Sequence, residues 1–322
     1  RPLVRVAAGH LVLNLAPSAR RRGRQDASRR EEDVGPEERI ALAALTPVQA
    51  NGMPAGLEAG IVAGRRQIKS WALEMCTLHD LFVTRVHRCV WSAHLTVTSD
   101  DNFEHMSGLI ESYDWLRKRV RRIYRGNGDH RIMLLNGGRA EFTARESGRT
   151  GRGRDVNRLT LDEWLFGTAS MLGAQVPMLG AVDDRYIRFG SSPGMLESEC
   201  LRNLRDRGRR GGDLSLSWAE WTSERLVNGK RVVPTCADPD CTHLAGQAVG
   251  CYMDDPRIRR EVNPAYGRRL SVEFVEQERL AMPPTEYARE RCGVWEDPPA
   301  EGNTDDTLRG WADAGNDRAA AT

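Results

Sequence analysis

Lysine is nearly missing from this chain of 322 residues: only Lys69, Lys118 and Lys230 stand among 47 basic side chains, so arginine carries almost all the positive charge. Such arginine usage fits a GC-rich genome as well as phosphate recognition, which the planar guanidinium performs in a bidentate fork. Long apolar runs are missing too. Leu11-Val12-Leu13-Asn14-Leu15 is far shorter than the roughly 20 residues that a membrane-spanning helix needs, and no signal-cleavage pattern accompanies it. Net charge is only +2, so any attraction to a polyanion has to come from local clusters. The hydrophobic fraction of 40% supports one large α/β domain, or such a domain with a small appendage, plus tails.

Seven cysteines divide into two groups. Cys76, Cys89, Cys200 and Cys292 lie among apolar or helical residues and read as reduced core thiols. Cys236, Cys241, His243 and Cys251 fall close together in a loop-rich stretch, and three thiolates with one imidazole suit tetrahedral zinc. Their irregular spacing leaves free thiols or a loop-tightening disulfide as alternatives.

The chemistry-bearing segment is Arg158-Leu159-Thr160-Leu161-Asp162-Glu163, an apolar strand that stops at two carboxylates. In an NTPase, the first acid of such a pair holds Mg²⁺ and the second orients or deprotonates the attacking water. The bland alternative is a solvated strand end. A phosphate cradle has to lie upstream, and Gly64-Arg65-Arg66-Gln67-Ile68-Lys69-Ser70, followed by a helical pattern from Trp71, is the candidate. It has the first glycine, the lysine and the hydroxyl of G-x-x-x-x-G-K-[ST], but its second glycine is missing, so it reads as one residue short. That omission removes a backbone amide and the residue best able to take positive φ. An ordinary basic helix start is the alternative.

Other pieces follow in order. Leu45 to Gln49 offers, in Gln49, an amide suited to an adenine edge. Val90 to His94 reads as a strand leading to a helix with Phe103. Arg131 to Gly138 and Ala140 to Arg145 read as two strands around an Asn-Gly-Gly turn, ahead of a Gly/Arg loop from Gly148 to Arg154. Tyr186 to Pro193 is a strand with a small polar end at Ser191 and Ser192. Arg117 to Arg125 predicts a helix with Leu116, Val120 and Ile123 on one face and a basic stripe on the other. Arg202, Arg205, Arg207, Arg209 and Arg210 form a second basic patch, on a helix and loop.

This succession, from about Leu45 to about Trp311, resembles the large terminase subunit of tailed bacteriophages, the motor that packages DNA into proheads. The resemblance implies a phosphate-loop NTPase sheet, mostly parallel and of the additional-strand type, flanked by helices, with a small helical lid and a disordered N-terminal tail. It implies ATP and Mg²⁺ as cofactors, with Lys69 and Ser70 as the Walker A end and Asp162 and Glu163 as the Walker B end. Gln49, Arg66, Gln67, Lys69 and Ser70 would bind nucleotide, Ser70 and Asp162 the metal. Glu163 would be the catalytic base, Arg66 a charge-stabilising arginine in cis, and Ser191 and Ser192 the coupling motif. The implied partners are double-stranded DNA, portal protein, a small terminase subunit and further copies in a ring, with no membrane, in the cytoplasm of the infected bacterial host.

The expected organisation is a disordered basic tail over 1–40, an ATPase core over 41–235, a lid or linker subdomain over 236–300, and a disordered tail over 301–322. The family's nuclease domain would begin near Trp311, about where the chain stops, so it is expected to be absent; the first residue, arginine, is consistent with a fragment. Two rivals remain open: an inactive terminase remnant that keeps the fold, and a helicase-like DNA-binding ATPase.

Overall fold

The computed structural model of the chain describes residues 36–47, 54–126, 129–145, 155–227, 230–232 and 251–298. It divides into two compact units: 1–62, 68–191 and 199–219 in the first, and 63–67, 192–198 and 220–322 in the second.

The first unit is built on an eight-stranded mixed sheet. In chain order its elements are α1 (Pro36–Leu45), β1 (Glu58–Val62), α2 (Lys69–His79), β2 (Arg88–Ala93), α3 (Thr96–Ser112), α4 (Asp114–Arg117), β3 (Val120–Gly126), β4 (Asp129–Leu134) and β5 (Arg139–Ala144). They continue with β6 (Arg158–Leu161), α5 (Ala169–Gln175), β7 (Tyr186–Ser191), α6 (Glu199–Arg210) and β8 (Leu216–Glu220). The strand order is β3-β4-β5-β2-β6-β7-β1-β8. Pairing is parallel along β5-β2-β6-β7-β1 and antiparallel in β3-β4-β5. Thus β7 is inserted between β1, which precedes the candidate cradle, and β6, which ends at the acidic pair. That is the additional-strand arrangement expected from the sequence.

The central strands β2, β6 and β7 are buried at every position, as parallel strands covered on both faces are. Apolar runs bounded by turn residues are enough to mark them. The strand before the cradle is five residues long, and Glu58, Ala59 and Gly60 pair in register with Ile187, Arg188 and Phe189 of β7. α1 begins at Pro36, inside the segment expected to be a disordered tail.

One expected helix is a strand. Val120–Gly126 pairs antiparallel with β4 and forms an edge of the sheet. The apolar spacing of Leu116, Val120 and Ile123 suits a helix, but pairing with Leu134 to Asp129 satisfies the backbone instead. The hairpin extends an existing sheet, so the long-range ladder overrides a weak local pattern.

At the other end of the sheet from the acidic pair, buried Asp80 closes a charge cluster with Arg158 of β6 and Arg188 of β7. Burial alone would raise the Asp80 pKa; the Arg188 and Arg158 charges overcome it and hold the carboxyl below its usual range.

The second unit contains a short antiparallel pair, β9 (Arg225–Val227) and β10 (Lys230–Val232), and three helices, α7 (Pro256–Val262), α8 (Val272–Ala281) and α9 (Pro284–Cys292). Asp255 caps α7 and Ser271 caps α8, each side chain accepting a backbone N–H of the first turn. Tyr252, Met253, Val275, Tyr287 and Cys292 form the core between them. Arg291 donates bidentately to Glu278, with both bonds at 2.7 Å, and ties α9 to α8.

Candidate active site

Helix α2 opens directly at Lys69, and Ile68 before it is fully buried with φ −101°. Ile68 therefore stands beside the lysine, where a phosphate loop has its second glycine, in a conformation that any residue adopts. The left-handed residue of the loop is Arg66, at φ 54°. Arg66 is exposed, and the left-handed region it occupies is one that glycine enters more readily.

Residues 63–67 belong to the second unit. A Cβ on Gly64 would lie 2.0 Å from the Glu290 carbonyl oxygen, so only glycine fits there. Arg65 donates its backbone N–H to Glu290 at 3.1 Å, and Arg291 donates to the Arg65 carbonyl at 2.8 Å. Gln67 uses both ends of its amide within that unit: it donates to Asn263 at 2.9 Å and accepts from the Ala265 N–H at 2.9 Å. The side chain expected to touch nucleotide is thus engaged with residues of the C-terminal unit.

In the first unit the acidic pair is held on several sides by its neighbours. Asp162 is buried, accepts the Glu163 N–H on Oδ1 at 2.9 Å, and accepts from Asn102 of α3 on Oδ2 at 3.3 Å. Burial, and then the Glu163 charge, push the Asp162 carboxyl up to about 6, against the opposing Lys69 and Arg145 charges. Lys69 is therefore close enough to act on Asp162. The same proximity shows at Gly190 of β7, where a Cβ would meet Leu73 of α2 at 2.5 Å and Asp162 Oδ1 at 3.4 Å. Glycine there lets α2 and the end of β6 approach each other across β7.

Glu163 is left-handed, with φ 52° and ψ 47°. Its Oε2 is buried and has no hydrogen-bond partner among the described residues. A strained backbone and an unpaired buried carboxylate oxygen at one residue are what functional sites retain and cores avoid. Arg145, just beyond β5, reaches the carbonyls of Ser92, Asp162 and Glu163. Burial pulls its guanidinium down to about 10, with the Asp162 and Glu163 charges opposing, so it is charged at neutral pH.

An open groove of about 900 Å³ starts at Ser70 and runs between α2 and α3 past Trp71, Glu74, Asp101, Asn102 and His105. Glu74 and His105 pair across it at 2.8 Å. Burial raises the Glu74 carboxyl, and the bond to Glu74 raises the His105 imidazole.

Lys69, Ser70, Asp162, Glu163 and Ser191 thus fall in one unit, and Arg66, Gln67, Ser192 and Cys251 in the other. Ser191 ends β7 opposite Val62 of β1. Cys251 is buried in the core of the second unit. Gln49, Cys236, Cys241 and His243 lie outside the described residues, as do the Gly148 to Arg154 loop and the expected tails over 1–35 and 301–322. Among the described residues no group of three His, Cys, Asp or Glu side chains is placed to hold a metal ion. Asn102 and Arg145 were missed by sequence reasoning, since nothing local marks either as a neighbour of Asp162.

No family model matches the sequence, and neither does any curated protein. Solved structures do. The crystal structure of the HK97 bacteriophage large terminase is 16% identical with a TM-score of 0.61, over 81% of this chain and 50% of that one. The ATPase domain of the Thermus phage P74-26 large terminase is 17% identical with a TM-score of 0.50, over 78% of this chain and 91% of that one. The large terminase of a thermophilic bacteriophage, solved in complex with ADP, is 12% identical with a TM-score of 0.48, over 75% of this chain and 48% of that one. The chain spans half the length of the HK97 protein. Strand order, the inserted β7 and the first two of these likenesses together give the chain the fold of the ATPase domain of phage large terminases.

Proposed function

We propose that the chain is an ATP-hydrolysing motor of the DNA-packaging type, which drives double-stranded DNA into a prohead. The observation that carries this reading is the acidic pair at the end of β6, where Asp162 feels the Lys69 ammonium and Glu163 holds a buried oxygen with no partner among the described residues.

Lys69 neutralises charge on the terminal phosphates, at the positive end of α2. The Ser70 hydroxyl and the Asp162 carboxylate are hard oxygen donors that suit Mg²⁺, and the Glu163 oxygen without a partner among the described residues marks a place short of positive charge. Bound there, the ion would supply charge neutralisation on the phosphate oxygens. Glu163 orients the attacking water and accepts its proton. Arg66, exposed on the left-handed turn of the loop, is the cis candidate for stabilising charge in the transition state. Gln67 connects the loop to Asn263 and Ala265, and Ser191 and Ser192 continue β7 from the sheet unit into the other unit, so both segments suit relay of phosphate loss. Gln49 is assigned to the adenine edge.

For DNA, the basic strand β3 offers more than the second patch. Arg121 and Arg122 are exposed on an edge strand next to exposed Lys118 and Arg119, while Arg125 on the same strand is engaged by Glu111 at 2.9 Å. On α6, in contrast, Arg207 is engaged by Glu58 and Asp213, and Arg205 by Asp206. Binding of the β3 kind is to phosphate, tolerant of sequence and sensitive to salt. A ring on a portal, a small terminase subunit and the cytoplasm of an infected bacterium complete the proposal.

The test is ATP titration and turnover of the wild type against Glu163→Gln. Glu163→Gln should still bind ATP and should lose DNA-stimulated hydrolysis. Unchanged turnover would remove Glu163 from the mechanism. Absence of nucleotide binding in the wild type would favour an inactive remnant, a reading for which Ile68 in place of glycine speaks.

A further inference from the structure

Three adjacent strand ends meet at one side chain. Arg145 follows β5, and its backbone N–H donates to the Ala93 carbonyl at the end of β2, at 2.9 Å. Its Nη1 donates to the Ser92 carbonyl at 2.6 Å. Its Nη2 donates to the Asp162 carbonyl at 2.6 Å and to the Glu163 carbonyl at 3.2 Å. The guanidinium lies over the Trp164 ring, 5.4 Å from its centroid. Arg145 is buried, and its Nε has no hydrogen-bond partner among the described residues. A desolvated cation aimed at backbone carbonyls, with carboxylates next door, is an unusual use of charge.

The geometry explains what the charge does there. Glu163 occupies the left-handed region, which a residue with a Cβ enters only when its surroundings compel it. Its N–H is fixed by Asp162 Oδ1 and its carbonyl by Arg145, so the peptides on both sides of its Cα are pinned. We infer that Arg145 is the positioning residue that holds Glu163 in its left-handed conformation and thereby aims its carboxylate. Arg145 acts through the backbone: among the described residues every hydrogen bond of its side chain goes to a main-chain carbonyl. Lysine cannot replace it, because one ammonium on a flexible stem does not span the carbonyls of two strands as the rigid fork does. The inference rests on the ATPase reading of the site for its catalytic consequence, but the conformational part stands by itself.

The experiment compares wild type, Arg145→Lys and Arg145→Gln by steady-state ATPase kinetics and by hydrogen exchange of the segment 158–166. In Arg145→Lys, kcat should fall about 100-fold, as misplacement by about 1 Å does elsewhere, with KM for ATP unchanged. Exchange should accelerate in 158–166 and stay unchanged over α7 to α9. Should Arg145→Lys fail to fold, Arg145→Gln, which keeps one short donor, gives the same readouts. Unchanged exchange in 158–166, or kcat and KM falling together with global stability, would overturn the inference. A wild type without ATPase activity would instead refute the ATPase reading, while the exchange comparison still decides the role of Arg145.

Discussion

Replacing Asp162 by asparagine should make the protein more stable while removing a group proposed to hold the metal. The folded pKa of Asp162 is pushed to about 6 from an ordinary 3.8, by burial first and by Glu163 second. Keeping it ionised in that setting at neutral pH costs on the order of 3 kcal/mol. Asparagine keeps an oxygen to accept the Glu163 N–H, and Asn102 can turn its own amide to accept from the new NH₂, so few hydrogen bonds are lost. The net gain for the nucleotide-free protein is about 2 kcal/mol, or several degrees in Tm. Because the folded state binds the proton more tightly than the unfolded one, wild-type stability falls as pH rises from about 4 to about 6, and the deficit is full above that range. The advantage of Asp162→Asn should therefore be complete at neutral pH and vanish near pH 4, the ordinary carboxylate value. Denaturant titration of both proteins across that range, without nucleotide or Mg²⁺, measures it. A variant less stable than wild type at neutral pH, or a difference that does not change with pH, would refute the reasoning.

Arg66→Gly should relieve the left-handed strain at φ 54°, raising stability by about 1 kcal/mol while lowering turnover, measured by thermal melts and ATPase assays side by side. Asp80→Asn leaves Arg158 and Arg188 without their buried carboxylate and should cost about 3–5 kcal/mol in denaturant titration. Since the folded Asp80 pKa is depressed, the wild type should lose that same contribution as pH falls below the ordinary carboxylate range. Changing both Arg121 and Arg122 to serine should weaken binding to duplex DNA and flatten the dependence of log affinity on log salt by roughly 0.9 for each phosphate no longer neutralised.

The central strands β2, β6 and β7 were legible because apolar runs closed by turn residues mark them, and the Walker B half of the proposed site, Asp162, stands at the end of one, β6. What failed to show in the sequence is what depends on distant partners. Val120–Gly126 carries a helix-like apolar spacing, and only β4 makes it a strand. Gln67, expected as a nucleotide ligand, bonds through its amide to Asn263 and Ala265, almost two hundred positions on, which no local pattern announces. The cradle reads as one residue short, and nothing in the sequence signals that Ile68 before Lys69 is fully buried or that Arg66 takes a positive φ. Arg145 and Asn102 carry no local mark of their proximity to Asp162, because neighbouring strand ends and helix packing bring them there.

The scarcity of lysine has a consequence for how the molecule tolerates alkali. Nine of the described arginines are buried, among them Arg158, Arg188, Arg279 and Arg291. An amine in such a seat sheds its proton readily when removed from water, whereas a guanidinium keeps it. The interior framework of positive charge therefore outlasts any mildly basic medium.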